Sequence, residues 1–111
     1  MALTREQHSK VEQAARMASK GRSIRLYPTR SMSGKSWTYR AKEVRWVELE
    51  NGDRFGETLC SWCLFWVPVP TNREKEREAR ARFQQKIAEA QEIFRSHLEH
   101  NAKLRDEFWG W

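Results

Sequence analysis

Three groups of residues in this 111-residue chain have the types and spacing to do chemistry. The first is Cys60-x2-Cys63 together with His97-x2-His100. Two thiolates and two imidazoles are a donor set that suits tetrahedral zinc. The second is Gly34-Lys35-Ser36, which offers the backbone N–H groups, ammonium and hydroxyl of a phosphate loop. In such a loop a glycine would stand where Thr29 is, and a helix would begin where the residues after Ser36 read as strand. A polar loop that meets a phosphate backbone through Arg30, Lys35 and Arg40 fits these residues better than a nucleotide site.

The third group is a run of cations with aromatics between them. Lys20, Arg22, Arg25, Arg30, Lys35, Arg40, Lys42 and Arg45 are interleaved with Tyr27, Trp37 and Tyr39. Cations neutralise phosphates, and aromatic rings stack on unpaired bases. The charge distribution follows the same division. Residues 1–47 hold eleven Lys/Arg against three Asp/Glu, while residues 48–111 hold ten against twelve. The net charge of +6 therefore belongs to the first half, which suits an acidic partner, either a nucleic acid or an acidic protein surface. Six Trp residues add to the impression of a binding protein, because Trp is frequent at contact surfaces.

No nucleophile elbow, H-E-x-x-H or paired-carboxylate pattern accompanies these groups, so no residue is assigned a catalytic role and the chain is not read as an enzyme. A redox C-x-x-C opens a helix, whereas Cys60 and Cys63 lie between strand-like segments. As reduced strand residues beside Trp62 they would pack as small apolar groups.

The elements that must position these residues are legible in outline. Thr4 and Gln7 form a capping box for a helix from about Arg5 to Ser19, ended by Gly21. Leu3, Val11, Ala14, Ala15 and Ala18 give that helix a narrow apolar stripe. Residues 23–27 alternate as a strand closed by Pro28, and strand character resumes at Trp37. Asn51-Gly52 predicts a two-residue type I′ hairpin. Such a turn would set Glu50 opposite Asp53, Glu48 opposite Phe55 and Trp46 opposite Glu57, with Trp46 and Phe55 on one face.

Pro68 and Pro70 end the last strand. Thr71 or Asn72 then caps a helix running to about Phe108, which would be ~55 Å long. Its first three turns read as a solvated, salt-bridged rod with Glu76–Arg80 and Glu78–Arg82 pairs. Beyond them Ile87, Ala90, Phe94, His97, Asn101, Leu104, Phe108 and Trp111 form a heptad seam. The seam is either the core-facing stripe of one helix or a self-association surface making a homodimer through Ile87, Phe94, His97, Leu104 and Phe108. The aromatic end, Phe108-Trp109-Gly110-Trp111, is expected to fold back or dock.

The order of hairpin, C-x-x-C and a helix bearing F-R-S-H-L-E-H resembles zinc fingers of the C2H2 type, and in particular looks like small finger-bearing proteins of bacteriophages that infect actinobacteria. The resemblance spans Val47–Phe65 and Phe94–His100. It implies zinc as a cofactor, Cys60, Cys63, His97 and His100 as its ligands, and a phage-encoded protein acting in the host cytoplasm. In this chain 33 residues separate Cys63 from His97 and two separate the histidines, where a finger has about a dozen and three to five. That spacing leaves three arrangements: a helix broken within residues 84–92, a site shared between two chains, or no site.

The sequence thus predicts an α+β fold: a short N-terminal helix, a small antiparallel sheet of three or four strands, and a long C-terminal helix. Residues 1–70 form a basic helix-plus-sheet part and residues 71–111 the long helix, in one folding unit. The expected role is a small, non-enzymatic, nucleic-acid-binding protein of the cytoplasm, without a membrane partner. The alternative is an accessory factor or inhibitor that meets a host protein through the long helix and a Trp-rich surface.

Overall fold

The computed structural model describes residues 3–109, and side chains as far as His100. Helix α1 spans Arg5–Ser19 and helix α2 spans Arg73–Trp109. Between them lie strands β1 (Ile24–Arg30), β2 (Ser36–Glu48) and β3 (Arg54–Pro68), in one antiparallel sheet of order β1-β2-β3. The α+β architecture follows the sequence pattern. Among the described residues, no helix is long and apolar enough to cross a membrane.

Local chemistry sets the helix ends. The Thr4 hydroxyl accepts from the Gln7 N–H while the Gln7 side chain accepts from the Thr4 N–H, closing the capping box. At the other end Gly21 takes φ +91°. Its N–H donates to Ala18 O and that of Arg22 donates to Met17 O, which together make a Schellman motif. Asn72 Oδ1 accepts from the Glu74 N–H and starts α2.

The hairpin falls where Asn51-Gly52 places it, with a different turn. Only Gly52 has positive φ, at +88°, and Asn51 does not. The Gly52 N–H donates to Leu49 O and the Leu49 N–H donates to Asp53 O, so three residues, Glu50 to Gly52, form a type I turn followed by a left-handed glycine. The Asn51 side chain stabilises this form by accepting from the Asp53 N–H at 3.1 Å. The extra loop residue shifts the register by one: Trp46 pairs with Gly56 and Val47 with Phe55. Phe55 therefore shares a face with Val47 rather than with Trp46. Pro28 also departs from the expectation, because β1 runs through it to Arg30. An edge strand accommodates a proline whose position needs no ladder N–H.

Strand β3 carries two bulges opposite β2. The pairing steps from Glu43↔Cys60 to Val44↔Thr58, leaving out Leu59, and from Tyr39↔Phe65 to Arg40↔Cys63, leaving out Leu64. Each bulge reverses the alternation of side chains. Past Leu64, Phe65 and Val67 turn toward the helices with Leu64 itself, and Trp66 turns away.

One face of the sheet is covered. Ile24, Tyr39, Ala41, Leu64, Phe65 and Val67 form a core with Val11 and Ala14 of α1 and Ala79, Phe83 and Ala90 of α2. Phe83 is seated between Trp37, centroids 6.1 Å apart, and Phe65, at 6.0 Å. Tyr39 lies 5.3 Å from Phe65. Burial pushes the Tyr39 phenol above its ordinary 10.0, and a hydrogen bond with Gln91 acts in the opposite direction.

The first turns of α2 are thus not a solvated rod throughout. The Glu76–Arg80 pair forms on their outer side, while Ala79 and Phe83 are buried on the sheet. The middle of α2 lies against α1. The Leu3 N–H donates to Glu89, Lys86 donates to Gln7 at 3.0 Å, and His97 approaches Glu12 at 3.9 Å. Ile87 and Phe94 pack on the core, so this part of the expected self-association seam has its partner inside the chain. Leu104, Phe108 and the aromatic end lie outside the residues whose side chains are described.

Candidate nucleic-acid interface

Among the described residues, no helix lies on the other face of the sheet. Alternation and register place Arg25, Tyr27 and Thr29 of β1 on it, beside Thr38, Arg40, Lys42, Val44 and Trp46 of β2. From β3 it receives Gly56, Thr58, Ser61, Cys63 and Trp66. Across the strands these form rows: Thr29–Thr38–Trp66, Tyr27–Arg40–Cys63 and Arg25–Lys42–Ser61.

Three cations stand in the middle of this face. The Arg40 Nη2 donates to Ser61 Oγ at 3.3 Å, which fixes its direction without neutralising it. The Lys42 ammonium sits 5.1 Å from the Tyr27 ring centroid, and the Arg25 guanidinium sits 5.8 Å from that of Trp46. Cations over ring faces in this way keep their charge while the ring limits their motion. None of the three has an ion-pair partner among the described residues. The sole carboxylate of the face, Glu48, lies at its far end opposite Arg54.

Gly56 faces Trp46 across the hairpin. A Cβ at position 56 would come 2.6 Å from Val44 Cγ1, while the Trp46 ring would stand at an ordinary contact distance of 3.6 Å, so the glycine makes room for Val44 with the indole beside it. Of the four tryptophans with described side chains, Trp37 and Trp62 pack on the core, while Trp46 and Trp66 are 49% and 60% exposed.

The structure divides the residues singled out by sequence. Arg25, Arg40, Lys42 and Tyr27 come together on the open face. Trp37 and Tyr39 do not, because they point to the helix side, where Tyr39 is 1% exposed. Arg22 is held in a two-pronged pair with Glu43, at 2.5 and 2.8 Å, and that guanidinium keeps the Glu43 carboxyl below its ordinary 4.5. Arg45 pairs with Glu57. Arg30 Nε donates to Gly34 O across the β1–β2 turn, Lys35 is exposed in that turn, and Lys20 caps the end of α1.

Sequence reasoning omitted Trp46 and Trp66. The Trp46–Gly56 pairing depends on the extra loop residue, since a two-residue turn sets Trp46 opposite Glu57. Trp66 carries no signal in the sequence either, since the bulge at Leu64 decides its side.

The four candidate zinc ligands are not gathered within the chain. Between the two bulges β3 is regular, so Cys60 and Cys63, three residues apart, project from opposite faces. Their Cα atoms are ~10 Å apart along such a strand, which no pair of zinc thiolates spans. The Cys63 thiol donates to Phe65 O at 3.5 Å, and Cys60 is exposed on the other side. His97 lies at the joint of the two helices beside Glu12, which also pairs with His8 at 3.1 Å. Helix α2 is unbroken through residues 84–92. Among the described residues, no group of three or more His, Cys, Asp or Glu side chains is placed to hold a metal ion.

Comparison with known proteins leaves the face to be read from its own chemistry: no family model, no curated protein and no solved structure matches the chain.

Proposed function

We propose that this is a non-enzymatic nucleic-acid-binding protein whose contact surface is the helix-free face of the sheet. The observation that carries the reading is the placement of Arg25, Arg40 and Lys42 side by side without carboxylate partners among the described residues, while Arg22 and Arg45 are neutralised on the other side. A phosphate chain laid on the face would meet all three. The exposed tryptophans bear on the choice of partner as well. Trp46 lies against Arg25, and Trp66 shares the face one row from Arg40.

Three phosphate contacts predict a slope of about −2.1 for a single strand to −2.7 for a duplex in log K against log salt. Affinity would then fall about 20- to 40-fold between 50 and 200 mM salt, as counterions are released. Titration of a labelled oligonucleotide at several salt concentrations tests this. The R25Q/R40Q/K42Q variant is expected to bind weakly and to lose most of the slope. Binding that is flat with salt, or that survives the triple substitution, would refute the proposal.

A second reading, a protein-binding accessory factor, draws on the end of the β2–β3 hairpin. There Leu49, Phe55 and Leu59 are exposed apolar side chains. It expects L49S/F55S to abolish the partner contact and leave oligonucleotide binding unchanged.

A further inference from the structure

Charge accounts for attraction to phosphates, and it does so equally for a duplex and for a single strand. The rings beside the charges separate the two. Tyr27, Trp46 and Trp66 occur one to each strand of the open face, and the cations lie between them. Trp66 shares a row with Thr38 and Trp46 lies eight residues further along β2. The rings thus bracket a track of ~27 Å. Arg40 and Lys42 occupy that track on β2, with Arg25 alongside on β1.

A duplex offers no use for these rings. Its bases are stacked on each other, and its major groove admits a helix or a two-stranded ribbon. This face is a three-stranded sheet backed by two helices, broader than such a ribbon. On an open sheet face, exposed indoles have π-faces to give to bases that are already splayed. Stacking of that kind tolerates any base.

Resting on the reading of this face as a nucleic-acid surface, we infer that its ligand is single-stranded: the phosphates follow Arg25, Arg40 and Lys42, and unpaired bases stack on Trp66 and Trp46. The phenol of Tyr27, with Lys42 over its ring, forms the floor between them. The track length fits a site of a few nucleotides. Selection among sequences is weak, because the groups engaged are phosphates and base faces.

The test is binding of a short oligothymidylate and of a DNA duplex of the same length, followed by anisotropy and by intrinsic Trp fluorescence. The proteins are the full chain, Trp66→Leu and Trp46→Leu. Trp66 is the primary site because its side chain stands outside the core, so its loss leaves folding intact. Circular dichroism controls the Trp46 variant. The single strand is expected to bind more tightly than the duplex and to quench Trp emission. Each substitution is expected to weaken single-strand binding by about 5- to 150-fold, the worth of one stacked base, with the salt slope unchanged. Equal or tighter binding of the duplex, or full single-strand affinity in Trp66→Leu, overturns the inference, while salt-dependent binding leaves the cationic face standing. Failure of both probes to bind at low salt removes the face as a nucleic-acid surface and the inference with it.

Discussion

Replacing Phe83 with alanine tests the joint on which the sheet's orientation depends. The ring is 7% exposed and wedged between Trp37 and Phe65. A buried Phe covers 150–250 Å² or so. Truncation to the methyl of alanine forfeits roughly 120–160 Å² of that burial, worth about 3–4 kcal/mol at ~25 cal/mol per Å². Measured Phe→Ala costs of about 3–5 kcal/mol agree, the excess coming from the cavity. A domain of this size has only about 5–15 kcal/mol in hand. The substitution should therefore lower Tm by about 12–16 °C, at ~4 °C per kcal/mol. Urea unfolding followed by circular dichroism gives the free energy. Arg77→Ala on the exposed side of the same helical stretch serves as the control, expected to change stability by less than about 0.5 kcal/mol. If Phe83→Ala cost less than ~1 kcal/mol, the ring would be in water and the first turns of α2 would not be seated on the sheet. The covered face would then lose its cover, and the distinction between an open and a closed side of the sheet would fail.

Other outcomes follow from single contacts. Gly56→Ala places a methyl 2.6 Å from Val44 Cγ1 and should cost about 1–3 kcal/mol in denaturant unfolding as Val44 is displaced. Glu43 is ionised more readily in the folded chain than in the unfolded one because of Arg22. Its contribution to stability is complete above pH 4.5 and is lost as pH falls through the lower folded value, so Glu43→Gln should flatten the acid limb of a pH–stability profile. Tyr39 gives the opposite limb. Its buried phenol holds its proton beyond 10.0, the unfolded chain ionises first, and stability should drop as pH rises past that point. Tyr39→Phe should lack that drop.

The sequence by itself determined the ends of the elements. Thr4 with Gln7, Gly21, Asn72 and Asn51-Gly52 each act on backbone groups within four residues of themselves, so their effect is complete before any tertiary contact forms. It also located the positive charge in the first half of the chain, because charge is additive along a sequence. It left undecided which side of the sheet each residue would occupy. Alternation along β3 is a count of residues, and the bulges at Leu59 and Leu64 each add one to the count. Whether Leu64 is bulged depends on Leu64, Phe65 and Val67 together filling the space beneath α2, a packing condition with no local signal. The turn is similar in kind: one more loop residue moved Phe55 across the sheet. The same packing gave Ile87 and Phe94 a partner in the core and turned Trp37 and Tyr39 inward, away from the cations they accompany in sequence. A strand's period of two makes such errors total for every residue beyond the slip. The membership of the open face, Trp66 above all, was therefore settled only when helices and sheet closed on each other.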